Sequence, residues 1–577
     1  MMRTSFRICV LFMIAACGPA ASGGDDDDTT AATLLIEPAL SEHVILNGVA
    51  AHQQFTATLR FPDGRLRDVT DETSFLIDSA FGMFTANDLA LGTAGKTAVY
   101  GTWVEKTSMA EVIGRLKTVR VDPSLPVNTP DLFTGPEDPA LAPSVLYPPE
   151  GVVMPRNLGD FETHWTGPDG LDIFEVTLAT EFTDVRVYVP GGNGVGGGPN
   201  PAWMSFAATE WIAAVGREAQ VDYQVRGVST ANPGKVGVAP PRTVILSNDS
   251  MEGGLYYWAA GATPGNSYGI FRHDMTKPGQ PAEEYMTTTQ TGGRCVACHV
   301  LSRDGSRMAI TYDGGNGAAT VLDVATKVTQ PEITAWNFGT FTKDGSQLLT
   351  VSGGTVTVRD GATQAPLATM PAAGMATHPD LSVDGTKLVY VRYAAGADWT
   401  FGGGQIFTRS YDATTRTFGA ETPLVTDGSN NYYPSWSPDG QWIVFNRSDA
   451  DAYNAVNASI WIVKADGSQP PFELVTGNIG SGLTNSWARW APFAQSTGQQ
   501  REPMMWITVS SKRDFGTRLR NSSLAVGDQF PQLWMFAFHP ERVGSAAASS
   551  PGFRLPFQNL NSRNHIAQWT ERVVVVQ

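Results

Sequence analysis

The chemistry of this chain is concentrated in Cys295-Val296-Ala297-Cys298-His299. Two thiols at this spacing can each form a thioether with a haem vinyl group, and a histidine directly after the second thiol can ligate the iron. A local disulfide and half of a zinc site are the competing uses of the same thiols. The zinc reading is the weaker, because the chain has only 4 cysteines and no second pair spaced this way. The expectation is one covalent haem c, attached through Cys295 and Cys298, with His299 as proximal ligand. There is no second motif, so the chain cannot form a multihaem wire by itself.

The other two cysteines bear on the compartment. Arg3 and Arg7 precede an apolar run, residues 8–16, which is too short to span a bilayer as a helix. Ile14-Ala15-Ala16-Cys17 ends that run and resembles a bacterial lipobox. The resemblance implies that residues 1–16 are removed, Cys9 with them, and that Cys17 is lipidated as the first mature residue. Cys295 and Cys298 would then face an oxidising compartment, where bacterial haem attachment takes place. Gly18 in place of an aspartate favours the outer membrane by analogy with lipoprotein sorting. Residues 17–31, with four consecutive aspartates at 25–28, read as a solvated acidic tether rather than a calcium site.

A net charge of −16 gives no electrostatic footprint for nucleic acid. With 60 glycines, 37 prolines and no long amphipathic helical pattern, 577 residues predict several mostly β domains. Residues 32–121 contain short alternating segments and a Pro62-Asp63-Gly64 turn. The stretch from Gly48 to Thr70 resembles a bacterial Ig-like domain, which implies a spacer sandwich. A proline-bearing linker is expected at 122–142. Residues 143–246 resemble a fibronectin type III-like module, with Trp165 and Tyr223 as core aromatics and 191–198 as a glycine-rich loop. His164 lies in one of its strands and reads as structural.

The remainder, 247–577, carries a repeat. Residues 301–310, 341–351, 381–391 and 436–445 share an apolar residue, a polar step, Asp-Gly and an alternating strand. Asp304, Asp344, Asp384 and Asp439 each precede a glycine that can take the positive φ of a tight hairpin. Such a unit is too small to bury its faces alone, and a ring of them removes the exposed edges. Trp436-Ser437-Pro438-Asp439-Gly440 resembles the repeat of TolB-like β-propellers. Two degenerate copies, at 486–511 and 564–576, bring the number of blades to six, with 254–259 and 268–274 completing the last. The fold class expected is all-β: two N-terminal sandwiches followed by a six-bladed propeller.

Alignment on Asp-Gly puts His299, His378 and His565 at the entry to the first strand of their blades, near one mouth of the channel. His378 and His565 are thus the candidate distal haem ligands. Tyr432 and Tyr433 stand at the matching entry of another blade. Met375, Met308 and Met286 are weaker candidates, since methionine in such a chain is usually core filler. Arg294, Arg489 and Arg563 could pair haem propionates. There is no G-x-S-x-G, H-E-x-x-H or P-loop signature. The expected function is that of an exported, lipid-anchored monohaem cytochrome passing electrons to a periplasmic or surface partner, an electron carrier or binding protein rather than an enzyme. A non-redox scaffold that docks protein or glycan at the envelope, and a haem enzyme with an open sixth position, are the alternatives.

Overall fold

The computed structural model describes residues 29–261, 268–313, 317–371, 373–479 and 483–576. The expected signal segment, Cys17 and the aspartate run 25–28 lie outside these residues. The described chain is dominated by strands, and its one α-helix, Ala208–Val215, lies in a stretch read from the sequence as wholly β. None of its helices is long and apolar enough to cross a membrane.

The chain divides into two units. In the first, Thr33–Glu37 pairs antiparallel with Thr56–Arg60, and Ser74–Ile77 with the strand Gly95–Trp103. Alternation along these strands buries Leu34, Ile36, Ala57 and Leu59, and Phe55, Phe75 and Phe84 pack with ring centroids 5.5–6.4 Å apart.

The second unit begins with a sandwich and continues into the propeller. One sheet of the sandwich carries Ile173–Ala179 between Thr183–Pro190 and Gln220–Val228; the other is Ser144–Tyr147, Phe161–Thr166 and Pro201–Phe206. Trp165, Trp211 and Tyr223 are fully buried between them. Residues 116–121, the end of the strand Lys106–Val121, pair in parallel with residues 183–188 and so extend the first of these sheets.

Six sheets of three to five strands follow. Blade 1 is closed by the end of the chain: Ser562–Thr570 pairs with Gly254–Gly261, which is followed outward by Gly269–Asp274 and Glu283–Thr287. Blades 2 to 6 have Val296–Leu301, Phe338–Phe341, Met375–Leu381, Asn430–Trp436 and Asn485–Thr497 as their innermost strands. Each inner strand packs against the next, and that of blade 6 against Ser562–Thr570, so the ring closes with six members. Joining the first and last strands of the ring in one sheet leaves no open edge where it closes.

The turns explain the repeat. Gly305, Gly345, Gly385 and Gly440 all sit at φ between 68° and 74°. The preceding aspartates accept the backbone N–H two residues on, from Ser306, Ser346, Thr386 and Gln441, each at 3.0 Å. Apolar clusters then fill the blade interfaces. Met308, Ile310 and Tyr256 lie between blades 1 and 2, Trp336 and Leu348 between 2 and 3, Tyr390 and Val358 between 3 and 4, and Val391 and Phe445 between 4 and 5.

Candidate functional site

The haem-attachment motif falls on the inner strand of blade 2, at a bulge. Val296 pairs with Tyr312 and His299 with Ile310, so that Ala297 and Cys298 oppose Thr311 alone. Similar bulges interrupt the inner strands of blades 4, 5, 6 and 1. Register relates them, because Leu301, Phe341, Leu381, Trp436 and Trp569 each pair with the second residue of the next strand out, and Trp490 holds the matching place in blade 6, paired with Ile507. Three residues upstream of these stand Cys298, Phe338, His378, Tyr433, Trp487 and Ile566, one per blade.

Five of those six, all but His378, line an axial cavity of about 400 Å³, together with His565, Trp258, Trp399 and Tyr453. His378 lies between two of the wall residues, 4.1 Å from the Phe338 ring and 4.3 Å from that of Tyr433. Tyr433 and Trp487 stack at 4.1 Å with 20° between their planes, which gives the cavity a flat wall. Four members of the ring, His378, Tyr433, Trp487 and Ile566, hold φ between 49° and 59°. For bulky or β-branched residues this costs on the order of 1–3 kcal/mol each, strain of a kind that gathers at binding sites.

One wall residue, Tyr433, and three residues of the neighbouring inner-strand segments carry unsatisfied polar atoms. Both ring nitrogens of His299, Nε2 of His378 and the hydroxyls of Tyr432 and Tyr433 are buried without a hydrogen-bond partner. Such groups are few in native proteins and mark missing ligands or waters. Nδ1 of His378 does accept the Tyr433 N–H, at 3.3 Å. Burial lowers the imidazole pKa of His299 to about 4, and burial with His299 nearby lowers that of His565 to about 3. Burial also holds His378 well below the usual histidine range and raises the Cys298 thiol. At neutral pH the cavity is therefore surrounded by neutral imidazoles and a protonated thiol.

The three histidines expected at one entry are staggered by one residue each. His565 precedes the ring position of its blade, His378 occupies it and His299 follows it. Facing does not follow this stagger, because the bulges interrupt the strand alternation: His565 lines the cavity, whereas His299 does not, its ring lying near the main chain of Ala297 and Tyr256. Among the described residues no group of three His, Cys, Asp or Glu side chains is placed to hold a metal ion. No disulfide joins Cys295 and Cys298. As donors for a haem, Cys298 and the aromatic walls fit the cavity; His299, as it stands, does not reach it.

Two residues further along the inner strands comes a second ring, Val300, Thr340, Asp380, Ser435, Arg489 and Gln568, around a narrow cavity of about 70 Å³. Arg489 is here, with burial lowering its pKa, and Asp380 is raised by burial. The other two arginines are engaged elsewhere: Arg294 pairs with Glu332 and covers the Tyr312 ring, and Arg563 donates to the carbonyl of Gly527. Met308 and Met286 are core residues between blades 1 and 2, and Met375 packs against the cluster between blades 4 and 5. His164 is structural: Nε2 is 3.1 Å from Glu162 and Nδ1 accepts the Thr517 N–H. Trp258, Trp399 and Tyr453 were missed from sequence because they lie outside the inner strands.

No family model matches the chain, and no curated protein matches it. Solved structures similar to it include the hydrazine synthase of Kuenenia stuttgartiensis, at 17% identity over 46% of this chain and 67% of that one, with a TM-score of 0.30. A putative TolB from Agrobacterium tumefaciens is 14% identical over 56% of this chain and 99% of its own, with a TM-score of 0.31. A putative 6-phosphogluconolactonase from Bacteroides uniformis is 13% identical over 52% and 83%, also at 0.31. Likenesses this distant carry no argument about activity, and the architecture rests on strand pairing: the chain is an all-β protein whose C-terminal part is a six-bladed propeller.

Proposed function

We propose that the chain is a propeller scaffold that binds a ligand in its axial cavity. The observation that carries this is the enclosure of one 400 Å³ space by Tyr433, Trp487 and Ile566, all held at positive φ, with the Tyr433 hydroxyl buried there without a hydrogen-bond partner. A non-redox binding module asks nothing further of the geometry, and the position of His299 outside the cavity favours it.

A covalent haem is the more specific reading, and the observation favouring it is that Cys298 itself belongs to the wall. A haem held there would supply one-electron transfer to a redox partner. Cys295 and Cys298 would carry the thioethers, the Tyr433–Trp487 face would cover the ring plane, and His565 or His378 would offer a neutral imidazole. His299 would have to turn at the Ala297-Cys298 bulge to serve as ligand. An envelope location with a lipid anchor at Cys17 belongs to the same proposal and rests on the sequence alone. Loss of acyl labelling in Cys17→Ala tests it.

Intact mass and a pyridine haemochrome spectrum, on protein exported from a host with cytochrome c maturation, separate the two occupants. One haem per chain, lost in Cys298→Ser, supports the cytochrome. An unmodified mass and a colourless protein overturn it and leave the non-redox module, to be assayed through quenching of Trp487.

A further inference from the structure

A second cavity, of about 470 Å³, lies against blade 1 on the side away from blade 2. Tyr257, Phe271 and His273 line it from that sheet, Ser562 and Asn564 from the inner strand, and the loop at 556–559 from blade 6. Four other blade interfaces are filled by apolar clusters. Here buried polar residues take their place: Ser562, Asn564, Gln558 and His273 are at most 4% exposed. The Ser562 hydroxyl and the Asn564 side-chain carbonyl are buried without a hydrogen-bond partner. Leaving such groups unmade costs about 1–3 kcal/mol each, which a ligand hydroxyl would recover.

We propose that this cavity is a binding site for a neutral polyhydroxylated ring, such as a sugar residue, distinct from the axial site and independent of what occupies it. The unpaired groups set the polar chemistry. Asn564 Oδ1 accepts only and Ser562 Oγ both donates and accepts, so the partner must offer a donor to the first and a donor or acceptor to the second, which vicinal hydroxyls supply. The aromatic floor sets the rest. The Phe557 ring is stacked on His273 at 3.9 Å and lies 6.1 Å from Tyr257, which offers apolar surface for the C–H face of a ring. Burial keeps His273 neutral, its pKa lowered to about 4, so the floor carries no charge at neutral pH. The exposed residues Asp160 and Glu284 line the cavity and neither lysine nor arginine does, which disfavours an anion.

The test is saturation-transfer NMR and calorimetry on the full mature chain, with methyl glucoside, methyl galactoside and N-acetylglucosamine as probes, and glucuronate and choline as charged comparators. At least one neutral probe is expected to bind at about 10 mM or below, and glucuronate about tenfold more weakly. Phe557→Ala and Ser562→Val, each checked for an unchanged circular dichroism spectrum, are expected to lose about tenfold in affinity. Trp487→Ala in the axial cavity is expected to change nothing here, so that failure of the axial reading and of this one remain distinguishable. The proposal is overturned by absence of transfer from every neutral probe, by binding that survives both variants, or by choline binding better than any glycoside.

Discussion

Lowering the pH from 7.5 to 5 should destabilise the second unit through its buried histidines. His273 and His539 lie outside the axial cavity, and burial lowers both to about 4, against 6.5 for the free side chain. Their folded-state pKa is depressed, so between about pH 6.5 and 4 the unfolded chain binds more protons, and stability falls as the pH falls. At pH 5 each of the two costs about 2 kcal/mol relative to pH 7.5, and the pair about 4 kcal/mol. His164, His299, His378 and His565 are displaced in the same direction. Paired carboxylates such as Glu162, already lowered to about 2, stay ionised in both states through most of this window, whereas Asp380, raised by burial, acts in the opposite direction. Scanning calorimetry at constant ionic strength should show the propeller melting lower at pH 5 by at least roughly 5–10 °C, the share of His273 and His539 alone. The double variant His273→Phe/His539→Gln should recover a substantial part of that fall. A melting temperature unchanged from pH 7.5 to 5, or a double variant with the wild-type pH dependence, would refute the reasoning.

Three further outcomes follow from the geometry. Gly440→Ala should cost only about 1 kcal/mol in a thermal melt, since its φ is 68° but a Cβ there meets nothing within 4 Å; Gly345→Ala, whose Cβ would lie 2.8 Å from the Arg307 side chain, should cost more, and equal losses would contradict the account of the turns. Glu162→Gln should lose about 3 kcal/mol at pH 7, because Glu162 accepts two 2.9 Å hydrogen bonds from Arg518 and one from His164; the contribution is present above about 4.5 and lost toward pH 2, so wild type and variant should converge in acid. Deleting residues 562–577 removes the inner strand of blade 1 and should yield an aggregating chain by light scattering, whereas a monomer with wild-type melting would argue against closure of the ring.

The blades were legible in the sequence because their turns use a chemical signature, Asp-Gly with an acceptor side chain, that survives divergence. The pairing of Gly254–Gly261 with the final strand was legible as well, from the shortage of strands in the last copy. The cavity was legible only in part, for a geometric reason. Counting back from Asp-Gly treats the inner strand as regular, but each bulge sets two residues against one, and the bulge in blade 2 lies one residue further from Asp-Gly than that in blade 4. His299 is thus past its bulge and paired with Ile310, whereas His378 lies inside its own, although both stand at a blade entry. Trp399 and Tyr453 lie in irregular segments beyond any repeat, and a strand-based reading has no access to them.

The division of labour along each inner strand explains why the wall could diversify. Leu301, Phe341, Leu381, Trp436, Trp490 and Trp569 are all large, apolar and at most 8% exposed, and they carry the packing between blades. Three residues upstream the six side chains share no chemistry: a thiol, an imidazole, a phenol, an indole, a phenyl ring and a branched alkyl group. The downstream residues secure the interfaces; upstream, Tyr433 also belongs to the cluster between blades 4 and 5, with Phe338 and Trp487 packed against it, and His378, Tyr433, Trp487 and Ile566 are held at positive φ against a conformational cost. Cys298 stands in that ring and lines the cavity.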